Sequence, residues 1–248
     1  VNWQIIDLLL VESDKFLNTK MGSAYLNTLY RLVATFDTVR TERGFIFAKI
    51  AVNGVDSTDP ETVKIAYQIL IVLGINSISP NHLADHITNT LIQPMALNYL
   101  TTAPVSIIDT AVLESLCSIQ PSQIACSLLI KFAQDKEIAK EMLTLGPLLQ
   151  KIDPKYMIKI LIEIMIDPEN RPNLIKIKEL PMILESIVRV SDSPMIGALC
   201  KIIIRFPYNP EFVRQLNKTS FIQEYITQVK LLDTFETHFS CLNLIDIL

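Results

Sequence analysis

At 248 residues the chain is long for one compact domain and short for two, so one continuous architecture or two small domains would both fit. Half of its residues are hydrophobic and only 19% are charged, which excludes disorder, and six glycines are too few for the turns of a many-stranded sandwich or barrel. A net charge of −4 gives no overall attraction to nucleic acid or to anionic lipid.

The chain starts at Val1 without a charged-then-apolar leader, and it reads as an excerpt of a longer polypeptide. Trp3 to Val11 and Tyr25 to Phe36 supply the first helical layers. Phe47-Ala48-Lys49 loosely echoes the strand lysine of protein kinases, but no glycine loop precedes it, so Lys49 reads as a helical surface residue. Gly54 and Asp56-Ser57-Thr58-Asp59 form the best loop and a weak boundary candidate. Thr62 to Leu73, Ile107 to Ile119 and Gln123 to Phe132 follow as further helices. The charge-free stretch from Ile87 to Ile108 is interrupted by Asn, Thr, Gln, Pro94 and Pro104, which argues against a membrane span.

Proline punctuates the rest. A polar residue followed by Pro marks an N-cap and the first helical position, where a missing N–H costs nothing. Asp59-Pro60, Ser79-Pro80, Asp153-Pro154, Asp167-Pro168, Ser193-Pro194 and Asn209-Pro210 predict six helix starts, and Asp233 with Glu236 adds a start without proline. Asp153, Ser193 and Asp233 are successively 40 residues apart, and Asp167 to Asn209 is 42. A repeat is indicated. Each period reads as a short first helix (Asn173 to Lys178; Glu211 to Leu216), a second (Leu180 to Val190; Phe221 to Leu232) and a long third (Lys155 to Ile166; Met195 to Phe206; Phe235 to Leu248). The sets Ile162/Ile202/Leu242 and Ile164/Ile204/Leu244 then share a buried face. Glu137 to Leu143 followed by Leu145 to Leu149 reads as the same first-helix, turn, second-helix order.

Chemistry finds little to stand on. There is no Gly-rich phosphate loop and no G-x-S-x-G serine. His82 and His86, with Asp85 between them, lie one helical turn apart, a spacing compatible with a metal ion, but the Glu of His-Glu-x-x-His and a nearby Cys are missing, and a solvated or capped pair is the plainer account. His238 and Cys241 read as a packed polar residue beside a buried thiol. The cysteines at 117, 126, 200 and 241 lack metal-like spacing and fit buried thiols of the cytoplasm or nucleus. No catalytic residue, cofactor site or metal site is expected. Charge is unevenly placed: there is no Lys or Arg between Lys64 and Lys131, and fifteen basic residues occur from Lys131 to Lys230. The neutral block fits either heavy burial under an Asn/Thr/Ser surface or a docking face.

The second half resembles the armadillo or armadillo-like (ARM/HEAT) family of helical repeats. Met142 to Leu149 looks like the family's turn between its first two helices, and Leu242-Asn243-Leu244 like the Asn-bearing end of a third helix, although Ile203 and Glu163 stand at the positions equivalent to Asn243. With Trp3 as the only tryptophan, the Trp and Asn ladder of importin-α-like members is absent. The resemblance implies an all-α, right-handed α-α superhelix, an armadillo-like solenoid spanning 1–248 as a single domain, with third helices lining a groove. It also implies a protein–protein interaction scaffold that holds a peptide or helix of a partner and performs no catalysis. Lys155, Lys159 and Glu163 on one third helix, Lys201 and Arg205 on the next, and Asn243 on the last are the candidate partner-binding residues, suited to an acidic or phosphorylated segment; the bland alternative is a solvated helix face. Nucleic acid is a poorer partner, because aromatics for base stacking are few and the acids balance the bases. A different class of role is the regulatory or autoinhibitory helical-repeat region of a larger signalling protein, such as a kinase or a formin-type actin regulator.

Overall fold

A computed structural model describes residues 3–11, 13–17, 19–230, 238–240, 242 and 244. Among these the secondary structure is helical, with 17 α-helices and three short 3-10 turns. Their contacts gather into two compact units, Val1–Val112 and Leu113–Leu248.

The first unit contains α1 (Trp3–Val11), α2 (Ser13–Leu17), α3 (Gly22–Thr35), α4 (Asp37–Val55), α5 (Pro60–Leu73), α6 (Pro80–Thr88) and α7 (Gln93–Thr102). In it α3, α4 and α5 pack on one another, and α7 packs on α5 and α6. The Gly54–Asp59 loop merely joins α4 to α5, so it is not a boundary between units. Helix α4 has a weak apolar stripe because it is covered on several sides, burying Val39, Phe47, Ala48, Ile50, Ala51 and Val55. Gly54 lets α3 approach α4 closely, since a Cβ there would stand 2.8 Å from Leu26 Cδ1.

The second unit holds most of α8 (Thr110–Ser118), then α9 (Gln123–Phe132), α10 (Lys136–Met142), α11 (Gly146–Leu149), α12 (Pro154–Ile166), α13 (Arg171–Leu174), α14 (Leu180–Val190), α15 (Ser193–Ile203), α16 (Pro210–Leu216) and α17 (Phe221–Val229). Two rounds of a short first, a second and a third helix follow, α10 to α12 and α13 to α15, and α16 and α17 begin another; α11 has only 4 residues, and α14 and α15 are equal at 11. The first helix expected at Asn173 to Lys178 instead spans the 3-10 turn Pro168–Asn170 and α13, because the Asp167 carboxylate accepts from the Glu169 amide and starts the turn there. The third helix expected from Phe235 lies largely outside the described residues, as do Asp233 and Glu236.

Five of the six predicted caps form: Asp59, Ser79, Asp153, Asp167 and Asn209 each accept from an amide in the first turn. The sixth moves by one residue. Asp192, not Ser193, caps α15, its carboxylate accepting from the Met195 amide at 3.1 Å. The repeat from α12 to α15 is therefore 39 residues, Asp153 to Asp192. At that offset Met157, Ile160, Leu161 and Ile164 match Ile196, Leu199, Cys200 and Ile203, and all eight are buried. An offset of 32 maps the same positions of α12 onto Ala125, Leu128, Leu129 and Phe132 of α9, also buried. Each such aliphatic contributes about 1.5–3 kcal/mol. The expected set Ile162/Ile202/Leu242 is accordingly not one buried face: Ile202 is buried, Ile162 is half-buried and Leu242 is 59% exposed. In the other set Ile164 and Leu244 are buried and Ile204 is half-buried.

Candidate functional site

The repeat register also fixes what the third helices leave outside. On α12 the positions i, i+4, i+7 and i+11 from Lys155 are Lys155, Lys159, Ile162 and Ile166, a single stripe at 3.6 residues per turn. The equivalent positions are Pro194, Ala198, Lys201 and Arg205 at α15, and Gln123, Ser127, Ile130 and Gln134 at α9. Helix α12 packs against both α9 and α15, so the three stripes lie on neighbouring helices. Lys155, Lys159, Lys201 and Arg205 are all exposed. Among the described residues none of the four side chains has an ion-pair or hydrogen-bond partner.

The register thus sets these four bases on the equivalent exposed stripes of neighbouring helices, but not in the expected geometry. Lys159 and Lys201 are not equivalent positions: the bases fall in the N-terminal half of α12 and at the C-terminal end of α15. Arg205 lies two residues beyond α15, in a turn where its amide donates to the Ile202 carbonyl at 3.0 Å. Glu163 is half-buried and matches the buried Ile202, so it sits at the flank of the stripe. Asn243 lies outside the described residues. Ile166, 62% exposed, adds apolar surface between the bases.

Two other bases of the unit, Lys136 and Arg189, are engaged by acids. Lys136 reaches Asp167 at 3.3 Å and Glu169 at 2.8 Å, and these acids raise its pKa. Arg189 of α14 binds Glu185 at 2.6 Å and Glu224 of α17 at 3.1 Å, while the Ser220 hydroxyl lies 2.6 Å from an oxygen of each acid and shares its one hydrogen between them. The Ser220 hydrogen bond and Arg189 hold the Glu224 carboxyl below its ordinary range. This cluster lines a shallow cleft with Gln223, Thr227 and Gln228. Its only sequence signal was the i, i+4 spacing of Glu185 and Arg189.

The histidine pair belongs to the first unit and finds protein partners. His82 Nδ1 is 3.0 Å from Asp56 Oδ1, and His86 Nδ1 is 2.8 Å from the Tyr67 hydroxyl. Among the described residues no group of three His, Cys, Asp or Glu could hold a metal ion. Cys117, Cys126 and Cys200 are free and buried, and burial pushes the Cys117 thiol up to about 12. Cys241 lies outside the described residues. Lys49 is exposed on α4, as a surface lysine. The block between Lys64 and Lys131 is faced by neutral polar residues such as Asn81, Asn89, Asn98 and Thr101, with Leu91 and Ile124 its large exposed apolar groups, which favours the plain reading of a neutral surface. Among the described residues no helix is long and apolar enough to cross a membrane.

Neither a family model nor a curated protein matches the chain. Solved structures do resemble it. A crystal structure of an engineered protein matches with a TM-score of 0.54 at 14% identity, covering 96% of this chain and 68% of that one. The fold is armadillo-like. It is carried by the repeated helices of the second unit, and at such low identity the likeness to the engineered protein concerns fold alone. Also similar, with lower scores, are a designed armadillo repeat protein in complex with the peptide (KR)4 (TM-score 0.40, 12% identity, 96% and 98% coverage) and a second designed armadillo repeat protein (TM-score 0.38, 14% identity, 96% and 99% coverage).

Proposed function

We propose that residues 1–248 are a non-catalytic protein-interaction module whose armadillo-like second unit holds an acidic or phosphorylated segment of a partner protein along α9, α12 and α15. The observation that carries this reading is the placement of Lys155, Lys159, Lys201 and Arg205, exposed and without an ion-pair partner among the described residues, on equivalent stripes of adjoining helices. Carboxylates or a phosphate would meet them without first breaking an internal ion pair, and Arg205 can grip a phosphate with two N–H groups.

Exposed ion pairs contribute only about 0.2–1 kcal/mol each, so four of them give a modest, salt-sensitive complex unless apolar contact adds to it. Ile162 and Ile166 supply that contact between the bases. The charge pattern serves encounter rate and selection against basic partners at least as much as affinity. The buried free thiols are those of a protein that works in a reducing compartment, the cytoplasm or the nucleus.

Photocrosslinking tests the placement. An oligoglutamate peptide bearing a benzophenone should label residues of α12 and α15, with yield falling as salt rises. Labelling confined to residues 1–112 would remove the assignment.

A further inference from the structure

We propose that the contact between His86 of α6 and Tyr67 of α5 is a proton-operated latch, closed when the imidazole is neutral and released by acid. It is independent of the basic face and lies in the other unit.

The geometry starts from a buried phenol. Tyr67 is 0% exposed, and His86 Nδ1 is 2.8 Å from its hydroxyl. The hydroxyl hydrogen needs an acceptor, and the ring edge of Tyr99, 5.4 Å between centroids, is no substitute. Neutral His86 with its proton on Nε2 provides one, its Nδ1 lone pair accepting from Tyr67. The Tyr99 hydroxyl does not take the place of His86: it makes no hydrogen bond to Tyr67, and the amides of Ser77 and Ile78 are what approach it.

Protonation converts Nδ1 from acceptor to donor. The Tyr67 hydrogen must then turn into apolar surroundings, and ionising the phenol offers no escape because burial raises its pKa. The charged groups facing His86 come from two elements, α6 and the α4–α5 loop. His82, stacked one turn earlier with ring centroids 6.4 Å apart, opposes a second positive charge; Asp85 on α6 and Asp56 in the α4–α5 loop favour it. Burial outweighs them all and lowers the His86 pKa. The folded latch therefore binds a proton less readily than the unfolded chain, so its contribution is present above about pH 6.5 and is lost as pH falls below that value. Helix α6 is short, with nine residues of which Leu83, Ala84 and Ile87 are buried, and besides the latch it is held by packing on α7 and by His82 at 3.0 Å from Asp56.

Hydrogen exchange of the amides in α6, corrected for intrinsic rates, tests this at pH 7.5 and 5.5. The wild-type chain should lose protection several-fold at the lower pH, and His86→Gln, which keeps an acceptor but cannot titrate, should not. His82→Gln should leave the loss in place and move its onset to higher pH. An equal loss in His86→Gln, or no loss in the wild type, overturns the proposal. Should His86→Gln not fold, NMR titration of the wild type decides: His86 must titrate below the ordinary histidine value with the Tyr67 ring resonances following it, and titration at or above that value refutes the latch.

Discussion

Asp153 and Asp192 are the same residue of successive repeats: each carboxylate accepts from an amide in the first turn of a third helix, Lys155 at 2.9 Å and Met195 at 3.1 Å, and they stand 39 residues apart. Asp192→Ala should therefore destabilise the second unit by about 1 kcal/mol, the usual cost of losing an N-cap. A denaturant melt followed by circular dichroism measures it, and an unchanged midpoint would shift the cap back to Ser193.

The register separates two isoleucines that a 40-residue spacing would make equivalent. Ile202 is 1% exposed and Ile162 is half-buried at the edge of the stripe. Ile202→Asp would bury an unpaired charge and should cost 4 kcal/mol or more by order of magnitude, roughly the upper range for point substitutions. Ile162→Asp should cost about 2 kcal/mol or less, since its carboxylate can reach water. Equal melts for the two variants would discard the 39-residue alignment.

Glu185 acts as a cap for a helix in the next repeat. Its Oε1 accepts from the Ser220 amide at 3.3 Å and the Ser220 hydroxyl at 2.6 Å, at the start of α17. Glu185→Ala should loosen the first turn of α17 by about 1 kcal/mol. Hydrogen exchange resolved to single amides should show faster exchange at Phe221 to Glu224 and no change in α9; uniform acceleration throughout the unit would mean a global rather than a capping role.

Acid should act on α5 through its cap. Hydrogen bonding by Thr62 lowers the pKa of Asp59 below the ordinary carboxylate value, aided by the amides of Thr62 and Glu61. A carboxyl depressed in the fold stabilises above its unfolded pKa of about 3.9, and that contribution disappears as pH falls through the folded value. Asp59→Asn, which still caps but does not titrate, should flatten the pH dependence of stability between roughly pH 5 and 2. A variant whose acid unfolding profile matches the parent would refute the coupling.

Local chemistry explains which features the sequence revealed. Asp153-Pro154 and Asn209-Pro210 carry cap and helix start within adjacent residues, and α14 was legible from end to end because its apolar stripe is one-sided. Asp192-Ser193-Pro194 offers two side chains able to cap, and the choice between them is made by the register that buries Ile196, Leu199 and Ile203, a tertiary effect. Helix α4 was hidden for a similar reason: buried against α3 and α5, it shows little periodicity. The basic face was visible as residue types, but the end of α15 at Ile203, which leaves Arg205 in a turn, was not. The clamp of Glu185 on Ser220 joins residues 35 apart, and no local pattern announces it.

The basic face itself is tested most directly by anisotropy titration of a fluorescein-labelled oligoglutamate peptide against the wild-type chain and the double variant K159E/R205E. Both positions are exposed, so the melting curve should be unchanged within about 0.5 kcal/mol. Two reversed charges should weaken the acidic peptide roughly tenfold or more, with a shallower dependence on salt. Equal affinity of the two proteins at low salt would contradict the assignment of this face as the binding surface.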